Sequence, residues 1–128
     1  YNVYGDCMPT EGSYRTVLPI FLEQYRNNET FTITGDGKQR RDFTHVDDII
    51  DAMMKVVQLN KWGNVYELGR GKNYSIKQVV DMFPDPAWTY IDMIPGEARD
   101  TLCRSELARK KLKWKPKVNL EDWIKEQL

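Results

Sequence analysis

The sequence predicts a small mixed α/β domain of short strands and about five helices. Three observations carry that reading. Apolar residues recur at helical spacing in several stretches, short alternating stretches lie between them, and Gly, Pro and Asn/Asp clusters punctuate the joins. At 128 residues the chain reads as one domain, 1–128, able to bury about two thirds of the surface its unfolded form exposes. Four tryptophans argue for an anchored core rather than disorder.

Tyr1-Asn2-Val3-Tyr4-Gly5 reads as a strand end running into a loop that extends to about Ser13. From Arg15 to about Asn27 the pattern is helical, with Val17, Phe21 and Tyr25 on one face and Leu18 and Leu22 beside them. Pro19 is expected in the first turn, where its missing N–H costs nothing. Phe31-Thr32-Ile33-Thr34 alternates as a half-buried strand, and Thr34-Gly35-Asp36-Gly37 reads as a tight hairpin turn with two positions open to φ > 0. Phe43, His45 and Val46 lead to Asp47 as N-cap of a second helix, which runs to about Leu59. Its expected buried stripe is Ile49, Ile50, Met53, Met54, Val56 and Val57.

Asn64 to Leu68 alternates as a strand. Ser75 can cap a short helix from Ile76 to about Met82, and Pro84-Asp85-Pro86 breaks it. Trp88 to Met93 reads as another strand, followed by a charged loop from Pro95 to Asp100. A helix is expected from Ser105 to Leu112, and a last one, capped by Asn119, from Leu120 to Leu128.

Basic and acidic residues balance at 19 each, so no global field draws in nucleic acid or a membrane surface, and an anion site must be local. No run approaches the length of a membrane span, and no leader pattern opens the chain. Cys7 and Cys103 show no metal-ligand spacing, and His45 is the one histidine. No metal site is therefore expected, and reduced cytoplasmic thiols fit better than a disulfide. No phosphate-binding loop, dinucleotide fingerprint, Tyr-x-x-x-Lys pair or G-x-S-x-G elbow is present. On residues alone the chain offers no catalytic centre.

The stretch from Gly35 to Asp48 is the densest in chemistry. It brings Arg40 and Arg41 past a glycine turn toward a helix start, and a guanidinium fork beside unpaired helix N–H groups suits a phosphate. A solvated charged turn is the alternative, and the residues alone leave both open.

In order along the chain, Asn2-Val3-Tyr4-Gly5, Val17-Leu18-Pro19 and Gly35-Asp36-Gly37-x-Gln39-x-Arg41-Asp42-Phe43-x-x-Val46-x-Asp48 resemble the C-terminal half of the extended short-chain dehydrogenase/reductases, the NAD-dependent nucleotide-sugar epimerases and dehydratases. Val65-Tyr66-Glu67-Leu68-Gly69, Pro95-Gly96-Glu97 and Leu112-Lys113-Trp114-Lys115-Pro116 continue the resemblance. It implies a substrate domain binding a nucleotide diphosphate sugar, with NAD and the catalytic Ser/Thr, Tyr and Lys on a preceding Rossmann domain that this chain lacks. The chain is then expected to be a fragment or separately encoded half, inactive alone and holding no cofactor itself. Epimerase and dehydratase chemistry, isomerase and lyase respectively, are both compatible. A non-catalytic nucleotide-sugar binding module and an oligomerisation domain are the alternatives, since a lone chain has an apolar face to cover by self-association.

The resemblance also implies site residues. Asn2 and Arg41 would contact the diphosphate, Thr16 and Val17 the base and ribose, Phe21 the base, Thr32 and Thr34 the nucleoside pocket, and Glu97 the ribose hydroxyls. An ion pair of Arg41 with Asp42, Asp47 or Asp48 is the competing reading. Two positions depart from the family pattern. Ile94 stands where an arginine is common, and Arg104 stands where an aspartate is common, at the expected helix start. Arg99 or Arg104 could supply the lost donor.

Overall fold

A computed structural model describes residues 1–128. It contains eleven short elements in the order β1 (Val3–Tyr4), α1 (Val17–Arg26), β2 (Phe31–Thr34), β3 (Arg40–Arg41), β4 (Thr44–His45), α2 (Val46–Gln58), β5 (Tyr74–Ser75), α3 (Ile76–Val80), β6 (Trp88–Ile91), α4 (Leu107–Leu112) and α5 (Leu120–Gln127). The α/β reading and its five helices hold. The strands pair two by two: β1 with β4 and β2 with β6 in parallel, β3 with β5 antiparallel.

The main core lies where α1, α3 and α5 meet β2. Phe21, Phe31 and Phe83 pack edge-on or tilted there, with Ile33, Val79, Val80 and Ile124 completely buried. A smaller core joins α2 to α4 through Ala52, Ala108, Leu112 and Trp114.

Local signals account for the helix ends. Ser75 and Gln78 form a reciprocal capping box on α3, and Asn119 Oδ1 accepts from Glu121 N and Asp122 N at the start of α5. Pro19 lies in the first turn of α1, as its missing N–H favours. The cap of α2 is His45, whose Nδ1 accepts from Asp47 N at 3.2 Å, so the expected cap Asp47 is already inside the helix. The penultimate helix begins at Leu107 rather than Ser105, with Glu106 as its N-cap. Arg104 therefore lies outside the first turn and does not oppose the helix dipole.

Three expectations fail for one reason, that pairing partners are set by tertiary structure. The Gly35–Gly37 turn does not close a hairpin: β2 pairs with distant β6, and β3 leaves the turn to pair with β5. Both glycines do have positive φ, 61° and 69°. The expected strand at 64–68 is absent because no neighbour pairs with it, and Val65 is 84% exposed. The apolar stripe of α2 faces outward. Met53 is 60% and Val57 55% exposed, along with Ile50 and Met54, while Asp48 and Ala52 are the buried residues. Periodicity marks an apolar face correctly but does not say what covers it.

Two buried aspartates tie the irregular half of the chain to the helices. Asp42, fully buried, accepts from Arg70 N (2.8 Å), Gly71 N (2.9 Å) and Cys103 N (3.0 Å). Asp48 accepts from Lys117 N (2.8 Å) and Val118 N (3.1 Å), and its carbonyl receives Trp114 Nε1–H at 2.8 Å. Replacing Asp42 would strand three amide donors in a dry environment. Asp42→Ala should destabilise the chain by at least about 3 kcal/mol, since each of the three stranded amides costs about 1–3 kcal/mol; a urea midpoint unchanged from wild type would contradict this.

Candidate functional site

A cavity of ≈ 440 Å³ opens between the N-terminal end of α1, β2, β3 and the loop after β6. Asn2, Thr16, Val17, Phe21, Thr32, Thr34, Arg41 and Glu97 all line it. These are the residues singled out from the sequence, and they come from five separated segments. Much of the remaining wall is apolar, with Leu18, Ile20, Phe43, Ile76, Ile91 and Ile94. A mainly apolar cleft of this size with a few convergent polar groups is the usual form of a small-molecule site.

Alternation along β3 explains why one arginine enters and its neighbour does not. Successive strand side chains point to opposite faces. Arg40 turns away and binds Asn73 twice, Nε to Oδ1 and Nη2 to the carbonyl, both at 2.8 Å. Arg41 faces the cavity, where Nη2 donates to Glu97 Oε1 at 2.9 Å and Nη1 to the Arg40 carbonyl at 2.8 Å. The ion-pair partner of Arg41 is thus Glu97, not Asp42, Asp47 or Asp48. Two of its five N–H donors are engaged in this way.

Glu97 reaches Arg41 because the 95–101 loop is laced to the Gly35–Gly37 turn and to β3. Arg99 grips Asp36 with two bonds at 2.7 and 2.8 Å. That guanidinium, helped by Lys38 N–H, holds the exposed Asp36 carboxyl well below the usual carboxylate range. Arg40 N donates to the Arg99 carbonyl at 2.9 Å, and Thr101 N to the Arg40 carbonyl at 3.1 Å. Arg99 is therefore spent on Asp36, and Arg104 is exposed and does not line the cavity. Neither replaces the donor absent at Ile94. The second guanidinium in the wall is Arg15, which sequence reasoning missed; it precedes α1 and pairs with Glu23.

The other residues divide between packing and presentation. Phe21 belongs to the core and lends the cavity part of its surface, as does half-buried Val17. Thr16 caps α1 by position only; its side chain makes no capping bond and is exposed. Thr32 is fixed by Gln24, which donates to its hydroxyl (2.9 Å) and accepts its amide (3.2 Å). Gln39 Nε2 donates to the Thr34 hydroxyl at 3.0 Å, and that hydroxyl donates to Glu97 Oε2 at 3.3 Å. Asn2, held with φ 32°, accepts from Thr101 Oγ1 at 2.9 Å through Oδ1, and its side-chain amide N–H groups have no partner within the chain. Gln24 and Thr101 carried no sequence signal, and Gln39, although it stands in the Gly35–Asp48 motif, has no role that the motif itself reveals.

Residues 1–69 match the model of the NAD dependent epimerase/dehydratase family. The chain belongs to this family. Its curated relatives include a putative UDP-glucose 4-epimerase of Methanocaldococcus jannaschii, 31% identical over 97% of this chain and 41% of the relative. A UDP-glucuronate 4-epimerase of Thermodesulfobacterium geofontis is 29% identical over 98% of this chain and 39% of its own length. Among solved structures, the Bacillus cereus UDP-glucuronic acid 4-epimerase in complex with UDP-glucuronic acid and NAD superposes with TM-score 0.87 at 26% identity, covering 98% of this chain and 41% of that one. The Thermotoga maritima UDP-glucose 4-epimerase with UDP-glucose gives TM-score 0.83 at 29% identity, covering 94% and 40%. This member of the epimerase/dehydratase family thus spans about two fifths of the length of the relatives it matches.

The two direct strand-to-helix junctions of this family member, β4–α2 and β5–α3, carry no glycine turn of the kind that lets a pyrophosphate approach the backbone, and α2 opens with Asp47 and Asp48. No helix is long and apolar enough to cross a membrane.

Arg40 and Arg41 make opposite predictions. Arg40→Ala removes two bonds to Asn73 and should lower stability by about 1–3 kcal/mol while leaving the cavity wall intact; denaturation combined with a ligand titration checks that the loss is in folding and not in binding.

Proposed function

We propose that this chain is the substrate-binding part of an NAD-dependent nucleotide-sugar epimerase or dehydratase, and that the cavity takes the nucleotide diphosphate of the sugar donor. The observation that carries the reading is convergence. Eight residues from five segments, chosen because the family's pattern gives them to a nucleotide sugar, line one cavity of ≈ 440 Å³ with Arg41 in its wall. In this reading Arg41 and the Asn2 amide meet the phosphates, Glu97 meets ribose hydroxyls, and Thr16, Val17, Phe21, Thr32 and Thr34 enclose the nucleoside. The apolar wall suits the faces of a base, which gain by leaving water. The solved relatives described with UDP-glucose and with UDP-glucuronic acid and NAD support the same assignment.

The reading gives NAD and the catalytic residues to a Rossmann domain outside these 128 residues, and the exposed face of α2 supports a second unit seated there. Ile50, Met53, Met54 and Val57 form a contiguous apolar surface on one helix face, and such surfaces mark interaction sites. The same face favours the second reading, an oligomerisation role, in which another copy covers it. Cys7 and Cys103 are both free, consistent with a reducing, cytoplasmic setting.

Calorimetric titration with UDP tests the site. Arg41→Ala should weaken binding by about 1.5–3 kcal/mol, roughly 10- to 150-fold; equal affinity in wild type and variant would remove the assignment. Incubating the purified chain with NAD and UDP-glucose or dTDP-glucose should yield no product, and measurable turnover would place catalytic residues within it after all.

A further inference from the structure

Three charged side chains line the cavity, Arg15, Arg41 and Glu97, and neither guanidinium is unpaired. Arg15 is joined to Glu23 and Arg41 to Glu97. The second pair is well shielded, with side-chain exposures of 12% and 21%, and Ile91 and Ile94 share its wall. Both oxygens of Glu97 are held, Oε1 by Arg41 Nη2 and Oε2 by the Thr34 hydroxyl, which Gln39 orients. A carboxylate and a phosphate offer a guanidinium the same pair of acceptors. Glu97 therefore takes the donor that an anionic ligand would need.

We propose that Glu97 is a built-in counter-ion that masks Arg41 until a diphosphate displaces it, and so sets the affinity and charge preference of the site. The inference rests on the nucleotide-diphosphate reading and adds how that site is controlled. Displacement favours a ligand carrying more negative charge than the single carboxylate it replaces, so the pair selects phosphate dianions over carboxylates. The loop has the means to yield on one side only. Gly96, with φ 78°, has open space around it, and the preceding turn is closed by a single Glu97 N–H to Ile94 carbonyl bond at 3.2 Å. Beyond Glu97 the loop is pinned by the double Arg99–Asp36 bond and the Arg40 ladder. Glu97 can thus swing about Gly96 while Arg99 stays in place. The released carboxylate is an acceptor without a cation, suited to ligand hydroxyls.

The test is calorimetric titration of inorganic pyrophosphate and of UDP into the full chain as wild type, Glu97→Gln, Arg41→Ala and the double variant. Glu97→Gln should bind pyrophosphate at least five-fold more tightly than wild type, and the gain should vanish when Arg41 is also replaced. Glu97→Ala repeats the comparison with no side chain able to accept from Arg41. Pyrophosphate affinity unchanged or weakened in both Glu97 variants overturns the masking role; if UDP still binds wild type and loses affinity in Arg41→Ala, the nucleotide reading survives that failure. A tighter pyrophosphate site in which UDP gains nothing over pyrophosphate supports masking and removes the nucleotide reading. Binding of neither anion to any variant overturns both.

Discussion

The buried carboxylate of Asp42 is the constraint on which the site depends. It follows directly on β3, and its three acceptor bonds gather residues 70, 71 and 103 around one point. Those segments have no strand or helix to satisfy their amides, and a buried N–H without a partner costs about 1–3 kcal/mol. One ionised side chain thus does for three loop amides what a ladder would do elsewhere. Gly69 shows how closely the strands of loop approach: a Cβ there would lie 2.2 Å from Cys103 Cβ and 2.9 Å from Asp42 Oδ2. With Asp42 anchored on one face, the preceding residue, Arg41, is fixed toward the cavity. Asp48 repeats the device a few residues later, fastening the segment before α5 to the first turn of α2.

The anchors also explain the path of the second charged loop. Cys103 is fixed by Asp42, and Thr101 by Arg40 and by Asn73, whose Nδ2 donates to the Thr101 carbonyl at 3.1 Å. Asp36 and Arg99 hold the other side. Glu97 lies just before this pinned stretch, so it is delivered to Arg41 by bonds that neither residue makes. The pairing of two residues 56 positions apart therefore needs the frame that delivers them as well as their mutual attraction in a shielded wall.

What the sequence made legible was local. The two positive-φ glycines, the Ser75 and Asn119 caps, Pro19 in its first turn and the alternation of β2 each depend on a few neighbouring residues, and each is observed. What it concealed was pairing. Parallel strands such as β2 and β6 need a long connection, so nothing near Gly35 could reveal that its turn is not a hairpin. The outward face of α2 and the unpaired 64–68 segment are the same failure seen from the other side, with correct apolar patterns lacking a cover in this chain. Asp42 and Asp48 looked like ordinary acids at a helix start or partners for Arg41, because burial cannot be read from charge. The residues that line the cavity were legible through the family resemblance, and the fold gathers them; Arg15, Gln24 and Thr101 belong to no pattern, and the part Gln39 plays emerged only in three dimensions.

Ile94 gives the charge arrangement its meaning. At this position the family pattern offers an arginine, and here the wall is apolar. Arg99 cannot compensate while it holds Asp36 in a two-bond fork, and Arg104 is outside the cavity. Arg15, across the cleft beside α1, is engaged with Glu23. In the proposed reading the anion-binding capacity of the wall therefore rests mainly on Arg41, whose competitor is Glu97. A site with two or three free guanidiniums would tolerate an internal carboxylate with little change in affinity. A site with one is governed by it, so with an isoleucine at position 94 the proposed anion site turns on the Arg41–Glu97 pair.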